Sequence, residues 1–312
     1  MLDWTATAAR FLVFAATLTL FGASAFFGYG LAPLDSAKNN YAGKWPNITL
    51  VIAAAAALMA SVLWLMSEAA TLSGQSADAL NVAAVWSVVT DTHFGRVGAL
   101  RCVVLAVILL GLTTLGLRGQ RIWVLRSVLA GAVVCSLAWT GHGNIDSGLS
   151  GWVHVGSDSV HLLTAGLWVG ALVPLCVLAA GALRRGTAVS DYALAFGLAR
   201  FSSIGILVVA ILLFSGLINS WFLVGPAAWR SVVTTPYGRL LLAKVVLFVL
   251  MVTLAACNRL QLMPALQGAV SETHSRLALR RLRATLVTET VLAMLVLGLV
   301  AMIGTLEPPI SK

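Results

Sequence analysis

Long apolar blocks recur along the chain, separated by short stretches where Gly, Pro, Ser, Asp and basic residues collect. A helix of about 20 residues crosses the roughly 30 Å hydrocarbon core of a bilayer, so each block predicts a membrane span. The blocks lie near residues 11–32, 49–67, 98–117, 122–140, 158–183, 201–219, 238–257 and 284–303. Punctuation between them supports the division. Pro33 and Pro46 bracket one connection, Gly141 to Gly151 reads as a Gly/Ser/Asp loop, and Pro226, Pro236 and Pro264 sit in others. Arg10 followed by an apolar run imitates a secretory signal, but the block is too long and lacks a small-residue cleavage pattern, so it is read as a helix of the mature protein. The expected fold is all-α, a single polytopic domain over residues 1–312 built as a bundle of eight transmembrane helices.

Composition agrees and narrows the class. Of 312 residues, 60% are hydrophobic and only 10% charged, whereas soluble domains carry about 25% charge. The 20 Lys and Arg against 11 Asp and Glu leave a formal charge of +9. In a membrane chain such an excess sets orientation and anionic-lipid contact rather than nucleic-acid binding. With the amino terminus outside, inner loops hold Lys38, Lys44, Arg118, Arg121, Arg126, Arg184, Arg185, Arg200, Arg259, Arg276, Arg280, Arg281 and Arg283, which places both termini on the outer side. His93, His142, His154 and His161 then share the outer face with Glu68, Asp78, Asp91, Asp146 and Asp158, while His274 is inside. Cys102, Cys135, Cys176 and Cys257 stand singly with no CxxC pair, which argues against a disulfide framework or a zinc ribbon.

Candidate chemistry concentrates around the start of the fifth block. Asp158 and His161 are three residues apart and share a helix face, Trp168 continues the stripe seven positions deeper, and His154 joins if the helix begins early enough. Imidazole suits copper, zinc, iron or nickel, and a neighbouring carboxylate can bind the ion or hold the ring tautomer. The candidate metal ligands are therefore His142, His161, Asp158, His154 and His93. Met66 and Met302, near outer helix ends, add soft thioethers suited to Cu(I), with Met59 a step deeper than Met66. Cys135, seven residues before His142, offers a deeper thiolate; an ordinary buried cysteine is the alternative. Lys244 and Glu289 lie about two turns inside spans seven and eight, entering from opposite sides, so each must face protein or water. They are candidates for a polar pathway, or for structural roles, with Trp168. Walker, GxGxxG and HExxH patterns are absent from the sequence.

An ordered set of short motifs carries a family resemblance. These are Thr92-His93-Phe94-Gly95 leading to Arg101, Gly141-His142, Asp158 and His161 before Trp168-Val169-Gly170, Arg200-Phe201-Ser202, and Thr235-Pro236-Tyr237-Gly238-Arg239 running to Lys244. Asn258-Arg259, Pro264, Glu289 and Pro308 follow. Together they resemble the copper resistance protein D (CopD) family of bacterial inner-membrane proteins. The resemblance implies an eight-helix protein that handles copper ion, moving it inward across the inner membrane, in some cases with a periplasmic copper-binding protein as partner; with the charge-based orientation both termini are periplasmic. It implies no enzymatic activity. The chain departs from a methionine-rich copper pattern, having 7 Met and no dense Met or His cluster. Two other readings stay open: a b-type haem or quinone redox protein with axial histidines, and a copper-transfer scaffold that transports nothing.

Overall fold

A computed structural model of the protein describes residues 4–31, 45–114, 120–140, 148–185, 188–225, 230–267 and 272–309. Among these residues eight helices are long and apolar enough to cross a membrane. They are α1 (Trp4–Phe26), α2 (Trp45–Ser73), α3 (His93–Thr114), α4 (Gln120–Ala138), α5 (Gly148–Arg185), α6 (Ala188–Leu223), α7 (Pro236–Cys257) and α8 (Glu272–Ile303). Helices suit lipid because each backbone N–H and C=O finds its partner within the segment. Hydroxyls inside the spans do the same: Thr17 donates to the Val13 carbonyl at 2.7 Å and Thr164 to the Val160 carbonyl at 2.7 Å.

The helices alternate in direction, so the starts of α1, α3, α5 and α7 meet the ends of α2, α4, α6 and α8 at one rim. Contacts fix this rim: the Arg10 guanidinium lies against Gly304 and Arg101 bonds Thr140. α1 is the central staff, packed on α2, α4, α5 and α8, while α7 packs chiefly on α8. Burial follows: 67% of the apolar stretch of α1 is enclosed by protein, against 6% in α7. Lipid tails are as apolar as leucine side chains, so close backbone approach has to hold such helices together. α1 and α5 cross where Gly22 faces Gly166 and Gly170, and a Cβ on any of the three would strike its neighbours across the crossing.

Helix ends depart from the expected boundaries. α5 begins at Gly148, ten residues before position 158, and shortens the anticipated 141–151 loop. Its first turns are rich in Gly and Ser, which hydropathy reads as loop, yet Gly151, His154 and Val155 are buried against the bundle. α3 likewise starts at His93 rather than 98, with the Thr92 hydroxyl accepting from the Gly95 N–H at 2.8 Å as an N-cap. α2, α6 and α8 also extend past their apolar blocks, because packing continues beyond the lipid-facing stretch.

Candidate metal site

The early start of α5 puts His154, Asp158, His161 and Trp168 on one stripe. Fourteen residues of helix carry that stripe about 21 Å from the rim toward the membrane centre. It faces α6, α7 and α8.

His161 is oriented by α6. Its Nδ1 lies 2.9 Å from the Ser215 hydroxyl oxygen, and that hydroxyl sits 2.6 Å from the Ile211 carbonyl. A serine hydroxyl has a single hydrogen; when it is given to Ile211, as in i−4 back-bonding, the oxygen can only accept from Nδ1, and Nε2 then carries the lone pair. The ring is thereby held in the tautomer that can ligate a metal through Nε2. Asp158 accepts a bond from Asn219 Nδ2 at 3.2 Å, and Lys244 of α7 lies within electrostatic reach of both Asp158 and His161. His154 is buried, its ring stacked on Phe222 at 4.7 Å and 7°.

The remaining candidates are dispersed. His93 is exposed at the start of α3, its ring centre 6.0 Å from Trp139, which in turn meets Trp152 at 5.4 Å. Cys135 turns to Ser159, one position round α5 from Asp158. Met66 and Met302 are half-buried on α2 and α8. His142 lies outside the described residues. Among the described residues no three His, Cys, Asp or Glu side chains converge closely enough to hold a metal ion. His154, Asp158 and His161 thus do not form a closed metal cage among the described residues.

The stripe ends at a second polar group in the membrane interior. Glu289, 1% exposed, accepts from Asn258 Nδ2 at 2.6 Å through one carboxylate oxygen and from Trp168 Nε1 at 3.5 Å through the other. Thr285 donates to the side-chain oxygen Oδ1 of Asn258, and Phe248 meets the Trp168 ring edge-on at 6.0 Å. Asn258 opens a π-helical turn, Asn258–Leu262, a helix irregularity common at functional sites. Lys244 and Glu289 serve separate groups, as their entry from opposite sides anticipates. Ser215 escaped the sequence reading because a lone serine in an apolar helix carries no signal; its i+4 partner Asn219 was the available hint.

Residues 1–152 match the family described as copper resistance protein D-like, N-terminal domain, and residues 197–303 match copper resistance protein D. Copper resistance protein D of Pseudomonas syringae pv. tomato is 35% identical over 99% of this chain and 98% of its own length. The chain belongs to the copper resistance protein D family. Inner membrane protein YebZ of Escherichia coli (strain K12), 28% identical over 99% of the chain and 100% of that relative, spans the same length. Copper transport protein CutJ of Bacillus subtilis (strain 168) is 31% identical over 44% of the chain and 24% of its own length. No solved structure matches. Of the motifs that carried the resemblance, those around Thr92 and Thr235 open α3 and α7, Asp158 to Gly170 runs along α5, Arg200-Phe201-Ser202 lies in α6, and Asn258 and Glu289 meet in one hydrogen bond.

Proposed function

We propose that the protein moves copper ions inward across the bacterial inner membrane, with both termini periplasmic. His161 receives the ion through Nε2, helped by Asp158, by His154 and by His142; a periplasmic copper-binding protein delivers it. The observation that supports this reading is the 2.9 Å contact between His161 Nδ1 and the Ser215 hydroxyl, which orients the ring and suits the tautomer with Nε2 available. Lys244 balances Asp158 when copper is absent, and an arriving cation competes with the ammonium for the carboxylate. The α5 stripe then leads toward Trp168 and Glu289. The membrane potential favours inward movement by about 2.3 kcal/mol per charge per 100 mV, so a nucleotide-driven motor is not required.

Reconstitution tests this directly. Purified protein in liposomes is expected to admit copper under an inside-negative potential, and His161→Ala to admit none while remaining folded. Copper bound to the wild type without uptake would leave the scaffold reading standing in its place. A Soret band on the purified protein would favour the redox reading instead.

A further inference from the structure

α3 and α7 open on the same pattern. Thr92-His93-Phe94-Gly95-Arg96 is followed by Arg101, and Thr235-Pro236-Tyr237-Gly238-Arg239 by Lys244, the basic residue standing nine positions after the threonine in both. The structure repeats with the sequence. Thr92 donates to the Val88 carbonyl at 2.7 Å and Thr235 to the Ser231 carbonyl at 2.7 Å. Each hydroxyl also accepts from the glycine three residues on, Gly95 at 2.8 Å and Gly238 at 3.1 Å. Both glycines press against the short helix before them, Val82–Asp91 in one case and Ser231–Thr234 in the other, leaving no room for a Cβ. α1 and α5, the first helices of the two halves, cross at their glycines. The openings of α3 and α7 and the glycine crossing of α1 with α5 thus give the two halves matching features, as parallel repeats do.

The polar groups at equivalent places differ in sign. Arg10 precedes Gly22 by twelve residues, as Asp158 precedes Gly170. In the second half Asp158 stands within electrostatic reach of Lys244; in the first half Arg10 stands within reach of Arg101. Where one half has a carboxylate and a cation, the other has two guanidiniums. Both lie over the buried Trp64 ring, Arg10 at 5.1 Å and Arg101 at 5.4 Å from its centre. Arg101, 2% exposed, spends its donors on Ser136 Oγ at 2.8 Å, the Ser136 carbonyl at 3.1 Å and Thr140 Oγ1 at 3.1 Å. The Nε of Arg10 is buried with no acceptor. Glu68 of α2 is within electrostatic reach of Arg10, one negative charge beside two positive ones. Buried like charges are costly unless compensated.

We infer that the first half holds a phosphate-type oxyanion between Arg10 and Arg101, supplying the negative charge that Asp158 supplies in the second half. A single negative charge closes the balance, because Glu68 already offsets one guanidinium. Planar guanidinium forks suit phosphate oxygens, and the free Arg10 Nε is a donor already in place. The group belongs either to an anionic lipid headgroup or to a free phosphate, since the site lies at the rim. This site is independent of copper transport.

The test uses the full chain in neutral detergent and in nanodiscs. Calorimetric titration with inorganic phosphate reads the free anion. Co-purification with phosphatidylglycerol against phosphatidylcholine reads the headgroup. Saturable binding of either probe is expected, weakened on the order of tenfold or more in Arg10→Gln, because a charged hydrogen bond is lost. Binding to phosphatidylglycerol alone identifies the lipid source, and binding of free phosphate the soluble one. Should Arg10→Gln fail to fold, Arg10→Lys keeps the charge but removes the Nε donor and is expected to bind more weakly. Arg121→Gln, on the opposite rim, is expected to bind as the wild type does. Absence of saturable binding by either probe, or equal loss in Arg121→Gln, would overturn the inference.

Discussion

Replacing Ser215 by alanine tests the orientation of His161 without touching the imidazole. The change removes the acceptor of a 2.9 Å bond to Nδ1 and leaves the buried helix position otherwise filled. A neutral hydrogen bond contributes about 0.5–1.5 kcal/mol, so losing the tautomer lock alone weakens copper binding roughly 2- to 13-fold. Partners that orient metal-ligating histidines typically contribute about 10- to 100-fold, which sets the upper end. The assay is competition for copper against a chelator of known affinity, with thermal unfolding as a check on the fold. A double-mutant cycle sharpens it: in a His161→Ala background the Ser215→Ala change is expected to have no further effect on copper. Ser157→Ala is the control, since that hydroxyl reaches the Ser215 carbonyl at 3.3 Å and not the ring. Equal copper affinity in wild type and Ser215→Ala would refute the claim that Ser215 prepares Nε2 for the ion.

Other outcomes follow from the same geometry. Lys244→Met is expected to tighten copper binding severalfold, because the ammonium no longer competes for Asp158; weaker binding would show that Lys244 supports the site instead. Glu289→Leu leaves Asn258 Nδ2 and Trp168 Nε1 without acceptors at a cost of about 1–3 kcal/mol each, whereas Glu289→Gln keeps one carbonyl acceptor and sets its amide nitrogen against the other donor, so it is expected to lose about half as much. Gly170→Leu is expected to abolish the folded protein, since its side chain would enter the α1 backbone, while Gly181→Ala, with open space at its Cβ, is expected to change the unfolding temperature little. Size-exclusion profiles of the two glycine variants distinguish these cases.

Eight spans, the all-helical class and the family were legible in the sequence because lipid imposes one rule on every crossing segment: about 20 apolar residues in a helix. The same rule hid helix ends. The first turns of α5 obey protein packing rather than lipid, so a stretch rich in glycine and serine that reads as loop is helix with His154 inside. The spacing of Asp158, His161 and Trp168 was visible as a helical stripe, since i, i+3 and i+7 neighbours follow from helix geometry alone. Composition could not say that His93 turns to Trp139 or that Cys135 turns to Ser159, because those directions depend on which helices are neighbours.

The sequence by itself determined the crossing segments and the stripe on α5, both properties of a single helix or of local spacing. Tertiary structure alone decided that α1 runs through the centre, that Ser215 reaches His161 across 54 positions of chain, that Asn258 and Trp168 meet Glu289, and that Arg10 and Arg101 share one tryptophan. The reason is physical: in lipid the apolar faces of all eight helices are nearly interchangeable, and the choice of neighbours rests on a few glycine crossings and polar bonds between residues far apart in the chain.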